Sequence, residues 1–145
     1  YAEGKRVLYV EDMIANVALV EEIIKLRPGA SLIPAMTGGI ALELAREHRP
    51  DLILLDLHLP DIDGEAVLGQ LRADPDIRHI PVVILSADAT GRQLDRLIAA
   101  GADAYLTKPI TVRGLLELLD THLGEATDPD VPVAGPPPGT GTQLR

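Results

Sequence analysis

Five polar residues stand where short apolar runs end: Glu11 and Asp12 after RVLYV, Asp56 after LILL, Ser86 after PVVIL, and Lys108 after AYLT. Three carboxylates brought within a few ångströms repel one another and raise their own pKa values unless a cation sits among them. An oxygen-only donor set, without His or Cys, suits Mg2+, which takes one or two carboxylates and keeps several waters. An Asp carboxylate can also attack phosphorus, giving an aspartyl phosphate. A metal, a lysine and a hydroxyl can then hold and neutralise the phosphoryl oxygens. Taken singly, Asp12 could cap a helix, Ser86 could open a turn, and Lys108 could be a surface lysine before a proline. Taken together, each member of the set has a role in one reaction.

The elements that must position these residues alternate between strand and helix. Leu52, Ile53, Leu54 and Leu55 form an unbroken apolar run, the pattern of a parallel strand covered on both faces. Pro60 and the Asp63-Gly64 turn then carry the chain out of the sheet. The spacing predicts strands over residues 6–10, 31–35, 52–55, 81–85 and 102–107, and helices over 15–27, 40–47, 64–73, 90–100 and 112–123. Pro34 interrupts the second strand and places it at an edge. The expected inner faces are Ile40, Ala41 and Leu44 on the second helix, Ala66, Val67 and Leu71 on the third, and Leu94, Leu97 and Ile98 on the fourth. On the last helix the stripe is Val112, Leu115, Leu116, Leu119 and Leu123. The first helix has an apolar surplus. Val17, Val20 and Ile24 fill an inner face, and Ile14, Ala18 or Leu19 spills outward, either toward a helical partner or under neighbouring helices. The alternation gives an α/β fold, a doubly wound five-stranded parallel sheet with five helices. Its strands end on one edge, where open α/β sheets put their ligand sites. The five polar residues therefore converge.

Composition bounds the rest. A chain of 145 residues, 46% hydrophobic and 24% charged, is enough for one globular domain with a real core. Phe and Trp are absent, so Leu, Ile, Val and Ala must fill that core. The formal charge of −9 argues against direct binding to nucleic acid or to anionic membranes. The absence of cysteine removes disulfides and thiolate metal sites, and fits a reducing, cytoplasmic setting. No apolar stretch approaches the roughly 20 residues that span a bilayer. The chain opens on Tyr1 with no signal peptide, as expected for a piece of something longer. Residues 1–123 are expected to form the domain. Residues 124–145, rich in Pro and Gly, read as a flexible tail or linker.

Four segments carry a family resemblance: LYVED at 8–12, LILLDLHLPDIDG at 52–64, PVVILSA at 81–87 and GADAYLTKP at 101–109. In this order and at these separations they resemble the receiver domain, the phospho-accepting module of two-component response regulators, across about residues 5–123. The resemblance implies a flavodoxin-like receiver fold with strand order 2-1-3-4-5. It implies that Asp56 accepts a phosphoryl group from a phosphohistidine on a histidine kinase or histidine phosphotransfer domain. Asp12, Asp56 and the backbone carbonyl of His58 would bind Mg2+, with Mn2+ as a substitute, and Glu11 would act through a bound water. Lys108 would pair with a phosphoryl oxygen, Ser86 and Tyr105 would switch with phosphorylation, and the Lys108–Pro109 peptide would be cis. The chemistry would be confined to the domain's own phosphoryl transfer and autodephosphorylation.

Some positions depart from the commonest family pattern. Met13 stands where a polar residue, often Asn, is frequent. His58 occupies a variable position whose side chain influences reaction rates, and its imidazole is expected to face solvent. The stretch MIANVALVEEIIKL, with the LPDIDG loop downstream, leans toward the receivers of hybrid histidine kinases. A stand-alone single-domain regulator is the alternative. The fourth helix around Arg92 and Arg96, the fifth strand with Tyr105, and the final helix would form the signalling face and the face that pairs two copies.

Three other readings fit parts of the pattern. Asp61-Ile62-Asp63-Gly64 resembles the DxD nucleophile motif of aspartate-based phosphohydrolases. There the first Asp directly follows an apolar strand, whereas here Pro60 precedes Asp61 and Asp56 already holds the strand end. A flavodoxin-like cofactor binder would need a Ser/Thr/Gly-rich phosphate loop after the first strand, and usually aromatic rings. This chain has Glu11-Asp12 there and three tyrosines in all. Against a pseudo-receiver that binds without phosphorylation stands the retention of every site residue.

Overall fold

Strands that can bury both faces take the centre of the sheet, and those that cannot take its edges. In a computed structural model of the chain, which describes residues 4–87 and 91–124, the elements run β1 (Lys5–Val10), α1 (Ile14–Ile24), β2 (Ala30–Ala35), α2 (Gly38–His48), β3 (Leu52–Asp56), α3 (Gly64–Ala73), β4 (Val82–Ser86), α4 (Gly91–Ala99), β5 (Ala104–Thr107) and α5 (Val112–Leu123). The five strands are parallel in the order β2-β1-β3-β4-β5. This is the flavodoxin-like order that the sequence motifs imply. β3 and β4 are buried along their whole length. β2, which contains Pro34, lies at one edge, and the half-exposed β5 lies at the other.

Alternate residues of the strands feed two separate cores. Leu8, Val10, Ile53, Leu55, Val82 and Ile84 pack toward α2, α3 and α4. Val7, Tyr9, Leu52, Leu54, Val83 and Leu85 pack toward α1 and α5. Each fully buried Leu, Ile or Val contributes about 1.5–3 kcal/mol, so both faces are needed to hold the sheet. Arg72 ties α3 to the sheet: its guanidinium donates to the carbonyls of Arg78, Ile80 and Gly101 and to the Asp103 carboxylate, each at 2.8 Å. Among the described residues no helix is long and apolar enough to cross a membrane.

Several helix faces differ from the sequence expectation. On α2 the buried set is Gly38, Ala41, Leu42 and Ala45, and Ile40 is 46% exposed. Gly38 sets that orientation, because its Cα lies so close to Val67 and Ile62 that a Cβ would stand 2.8 Å from Val67 Cγ2. α3 buries Gly64, Val67, Leu68 and Leu71 while Ala66 faces water. α4 meets the sheet through Leu94 and Leu97 alone, leaving Ile98 45% exposed. On α5 the stripe is Leu115, Leu119 and Leu123, with Leu116 partly covered and Val112 outside it. On α1, Val20, Ile23 and Ile24 are buried and Val17 is partly buried, so Ile23 joins the expected inner face. Ile14, Ala18 and Leu19 face outward.

Element ends shift for local reasons. α1 stops at Ile24 because Leu26 and Arg27 bond back to Ile23 and Ile24 as tight turns. β5 begins at Ala104, since Ala102 closes α4 onto the Leu97 carbonyl. Thr90, the expected start of the fourth helix, and residues 125–145 of the expected tail lie outside the described residues.

Candidate functional site

Each functional side chain is delivered by a strand end whose pairing continues one step past the last apolar residue. The Glu11 amide donates to the Ala35 carbonyl at 2.9 Å, keeping Glu11 in line with β1. Asp56 sits opposite Leu85 in the β3–β4 ladder. Ser86 sits opposite Thr107, and the Lys108 amide donates to the Ser86 carbonyl at 2.9 Å. Glu11, Asp56, Ser86 and Lys108 therefore share one edge of the sheet, with Asp12 beside them. The Lys108–Pro109 peptide bond is cis.

The carboxylates of Glu11, Asp12 and Asp56 offer oxygens that lie within 4.8 Å of one another. Glu11 and Asp56 are buried and Asp12 is exposed, so the cluster opens to solvent on one side. Lys108 Nζ stands 3.3 Å from Glu11 Oε1 and 3.3 Å from Asp56 Oδ1. One ammonium thus faces two buried acids. The two acids titrate in opposite directions. Burial, and then the Glu11 charge, raise the Asp56 carboxyl, against the His58 amide and Lys108. Burial also acts to raise Glu11, but hydrogen bonds with Tyr9, Asn16 and Asp56, together with the Lys108 charge, lower the carboxyl on balance.

This donor set fits a hard divalent cation. It is all oxygen, it is partly exposed so that the ion can keep waters, and its acids outnumber the single lysine. The Asp56 carboxylate also accepts the His58 amide at 3.3 Å, which folds the chain after β3 back over the site. His58 itself is exposed. It lines a cleft of about 420 Å³ with Asp63, Gln93 and Arg96. Ser86 is buried, and Tyr105 is 47% exposed on the outer side of β5.

Two groups at the site went unread in the sequence. Tyr9 donates its hydroxyl to Glu11 Oε1 at 3.0 Å, and Asn16 donates its amide to the same oxygen at 3.1 Å. Tyr9 was legible in principle, since residues two apart on a strand share a face. Asn16 lies in the first turn of α1, and only the direction of the turn after β1 brings it back. Asp61, weighed above as a DxD nucleophile, accepts the amides of Gly38 and Gly39 at 2.7 and 3.0 Å. It caps α2 and is not one of the clustered acids Glu11, Asp12 and Asp56.

Comparison with known proteins meets the same fold. A family model described as the response regulator receiver domain matches residues 7–120. The polar-differentiation response regulator DivK of Brucella anthropi is 41% identical over 122 residues, covering 84% of this chain and 98% of that protein. The receiver domain of a sensor histidine kinase from Pseudomonas aeruginosa PAO1, with a magnesium ion coordinated in its active-site cleft, superposes with a TM-score of 0.75 at 30% identity. The match covers 83% of this chain and 98% of that one. The Mn2+-bound form of the response regulator Rcp1 superposes with a TM-score of 0.72 at 30% identity, covering 85% and 96%. The five-stranded order 2-1-3-4-5 agrees with these matches, and the chain belongs to the response regulator receiver domain family of two-component signalling.

Proposed function

We propose that this receiver takes a phosphoryl group from a phosphohistidine, on a histidine kinase or histidine phosphotransfer domain, onto the Asp56 carboxylate. One observation carries the reading. The Asp56 carboxylate ends the central strand 3.3 Å from the Lys108 ammonium and within 4.8 Å of carboxylate oxygens from both Glu11 and Asp12. In the transfer, an Asp56 oxygen forms the new P–O bond as the P–N bond to the partner's imidazole breaks, and the electron pair stays on that nitrogen. Asp12, Asp56 and the His58 carbonyl would hold Mg2+, with Mn2+ as a substitute, and Glu11 would act through a metal-bound water. The cation supplies charge neutralisation for the phosphoryl oxygens. Lys108 would take one phosphoryl oxygen and the Ser86 hydroxyl another. Tyr105, outward in this structure, would turn inward with Ser86.

Exposed Ile98, Tyr105 and Val112 on α4, β5 and α5 support this side of the molecule as the signalling face and as the face that pairs two copies. The DivK match spans nearly all of that regulator, which supports a single-domain regulator as the context. The hybrid-kinase reading rests on the first-helix stretch and on the likeness to the sensor-kinase receiver. Either role belongs in the cytoplasm, with residues 1–123 as the working domain and 124–145 as a tail or linker.

Labelling by acetyl phosphate in the presence of Mg2+ tests the central claim. The wild-type chain should label, and Asp56→Asn should fold and stay unlabelled. Label retained on the variant would move the acceptor elsewhere and end this assignment.

A further inference from the structure

We infer that Tyr9 is a positioning residue for the cation: its hydroxyl, together with the Asn16 amide, fixes the Glu11 carboxylate in the acidic cluster. The inference rests on the metal-dependent reading above. Tyr9 lies in the core on the α1 and α5 side, in the same cluster as Val20, Leu54 and Leu115, with none of its surface exposed. An apolar residue would fill such a place. A phenol there brings a hydroxyl that must find an acceptor, and the one it finds is a buried carboxylate two residues along the strand.

The hydrogen bonds around Glu11 are unequal. Oε1 accepts from Tyr9 at 3.0 Å, from Asn16 at 3.1 Å and from Lys108 at 3.3 Å. Lys108 is the longest of the three, and it lies equally far from Asp56 Oδ1. Tyr9 and Asn16, both neutral, hold Oε1 without drawing the lysine away from Asp56. Oε2 accepts only the Met13 amide, at 3.3 Å, among the bonds the structure gives it. That oxygen keeps lone-pair capacity for a water on the cation. A group that orients a carboxylate in this way acts on the metal without touching it, and loss of such a partner weakens binding by roughly 10- to 100-fold.

Tyr9→Phe keeps the ring and removes the hydroxyl alone. Asn16→Ala removes the other anchor without entering the core. Titration calorimetry with Mg2+ on the unphosphorylated chain gives the dissociation constant for each. Both variants should bind Mg2+ roughly tenfold more weakly or worse. In acetyl phosphate labelling, the half-saturating Mg2+ concentration should rise by the same factor, while the rate at saturating Mg2+ stays within about twofold of wild type, because Asp56 and Lys108 are untouched. Tyr9→Phe with wild-type affinity, or with a fall only in the saturated rate, would show the hydroxyl to be a satisfied core group and overturn the inference. A wild-type chain that binds no Mg2+ would instead remove the metal-dependent reading, and this inference with it.

Discussion

Asp61 accepts the Gly38 amide at 2.7 Å, across 23 residues of chain, and its second oxygen takes the Gly39 amide at 3.0 Å. One carboxylate thereby fastens the β3–α3 loop, which carries His58, to the start of α2. The first amides of a helix lack intrahelical partners, and the helix dipole favours a negative charge beside them. The Gly39 and Gly38 hydrogen bonds hold the Asp61 carboxyl below its ordinary value. The loop over the site is thus anchored by a residue outside the acidic cluster.

Asp61→Asn keeps the shape and loses the charge. Because the folded-state pKa is depressed, the stabilisation is full above the ordinary value of 3.8 and is lost as pH falls through the lower folded-state value. Denaturant unfolding should show wild type more stable than the variant at pH 6 and the gap closing toward pH 3. An equal gap at both pH values would assign the effect to something other than this ionised cap.

Gly64 marks a close approach of two backbones. A Cβ there would lie 2.7 Å from the Asp56 carbonyl oxygen and 2.7 Å from Leu57 Cα, and neither can retreat without disturbing the end of β3. Gly64→Ala should cost about 1–3 kcal/mol, as overpacking does. Gly69, also on α3, has no atom within 4 Å of such a Cβ. Gly69→Ala should stabilise by about 0.5–1 kcal/mol, as expected in an open helix interior. Unfolding curves for the pair check both signs, and a neutral Gly64→Ala would refute the close-approach argument.

Mg2+ should stabilise the fold, since it relieves carboxylate repulsion that exists only when Glu11, Asp12 and Asp56 are brought together. At 100 times its dissociation constant the gain is about 2.7 kcal/mol. Thermal melts with and without millimolar Mg2+ read this directly. Asp56→Asn should lose most of the shift, and a wild-type melting temperature indifferent to Mg2+ would argue against a native cation site.

The sequence marked the sheet well because its signals are local. Runs such as Leu52–Leu55 are apolar at every position and short between turn signals, the pattern of strands covered on both faces, and the charged or hydroxyl residue that ends each run lands on the ligand edge. Helix faces were less legible. Ile40, Ala66, Ile98 and Val112 are apolar and sit beside a buried stripe, yet face water. Periodicity gives the stripe to within a residue or so of rotation, and the contact that fixes the rotation comes from elsewhere in the chain. For α2 that contact is Gly38 against Val67 and Ile62.

The amino-acid order by itself determined the architecture, the edge at which the chemistry gathers, and the acids, hydroxyl and lysine that gather there. Strand periods and strand ends are properties of neighbouring residues, so they survive without knowledge of the fold. Only the tertiary structure decided that Asn16 reaches back to Glu11, that Lys108 stands evenly between two acids, and that Asp61 caps a helix that begins 23 residues before it. Each of these depends on a side chain meeting a partner whose place is set by packing, and no local pattern encodes that distance.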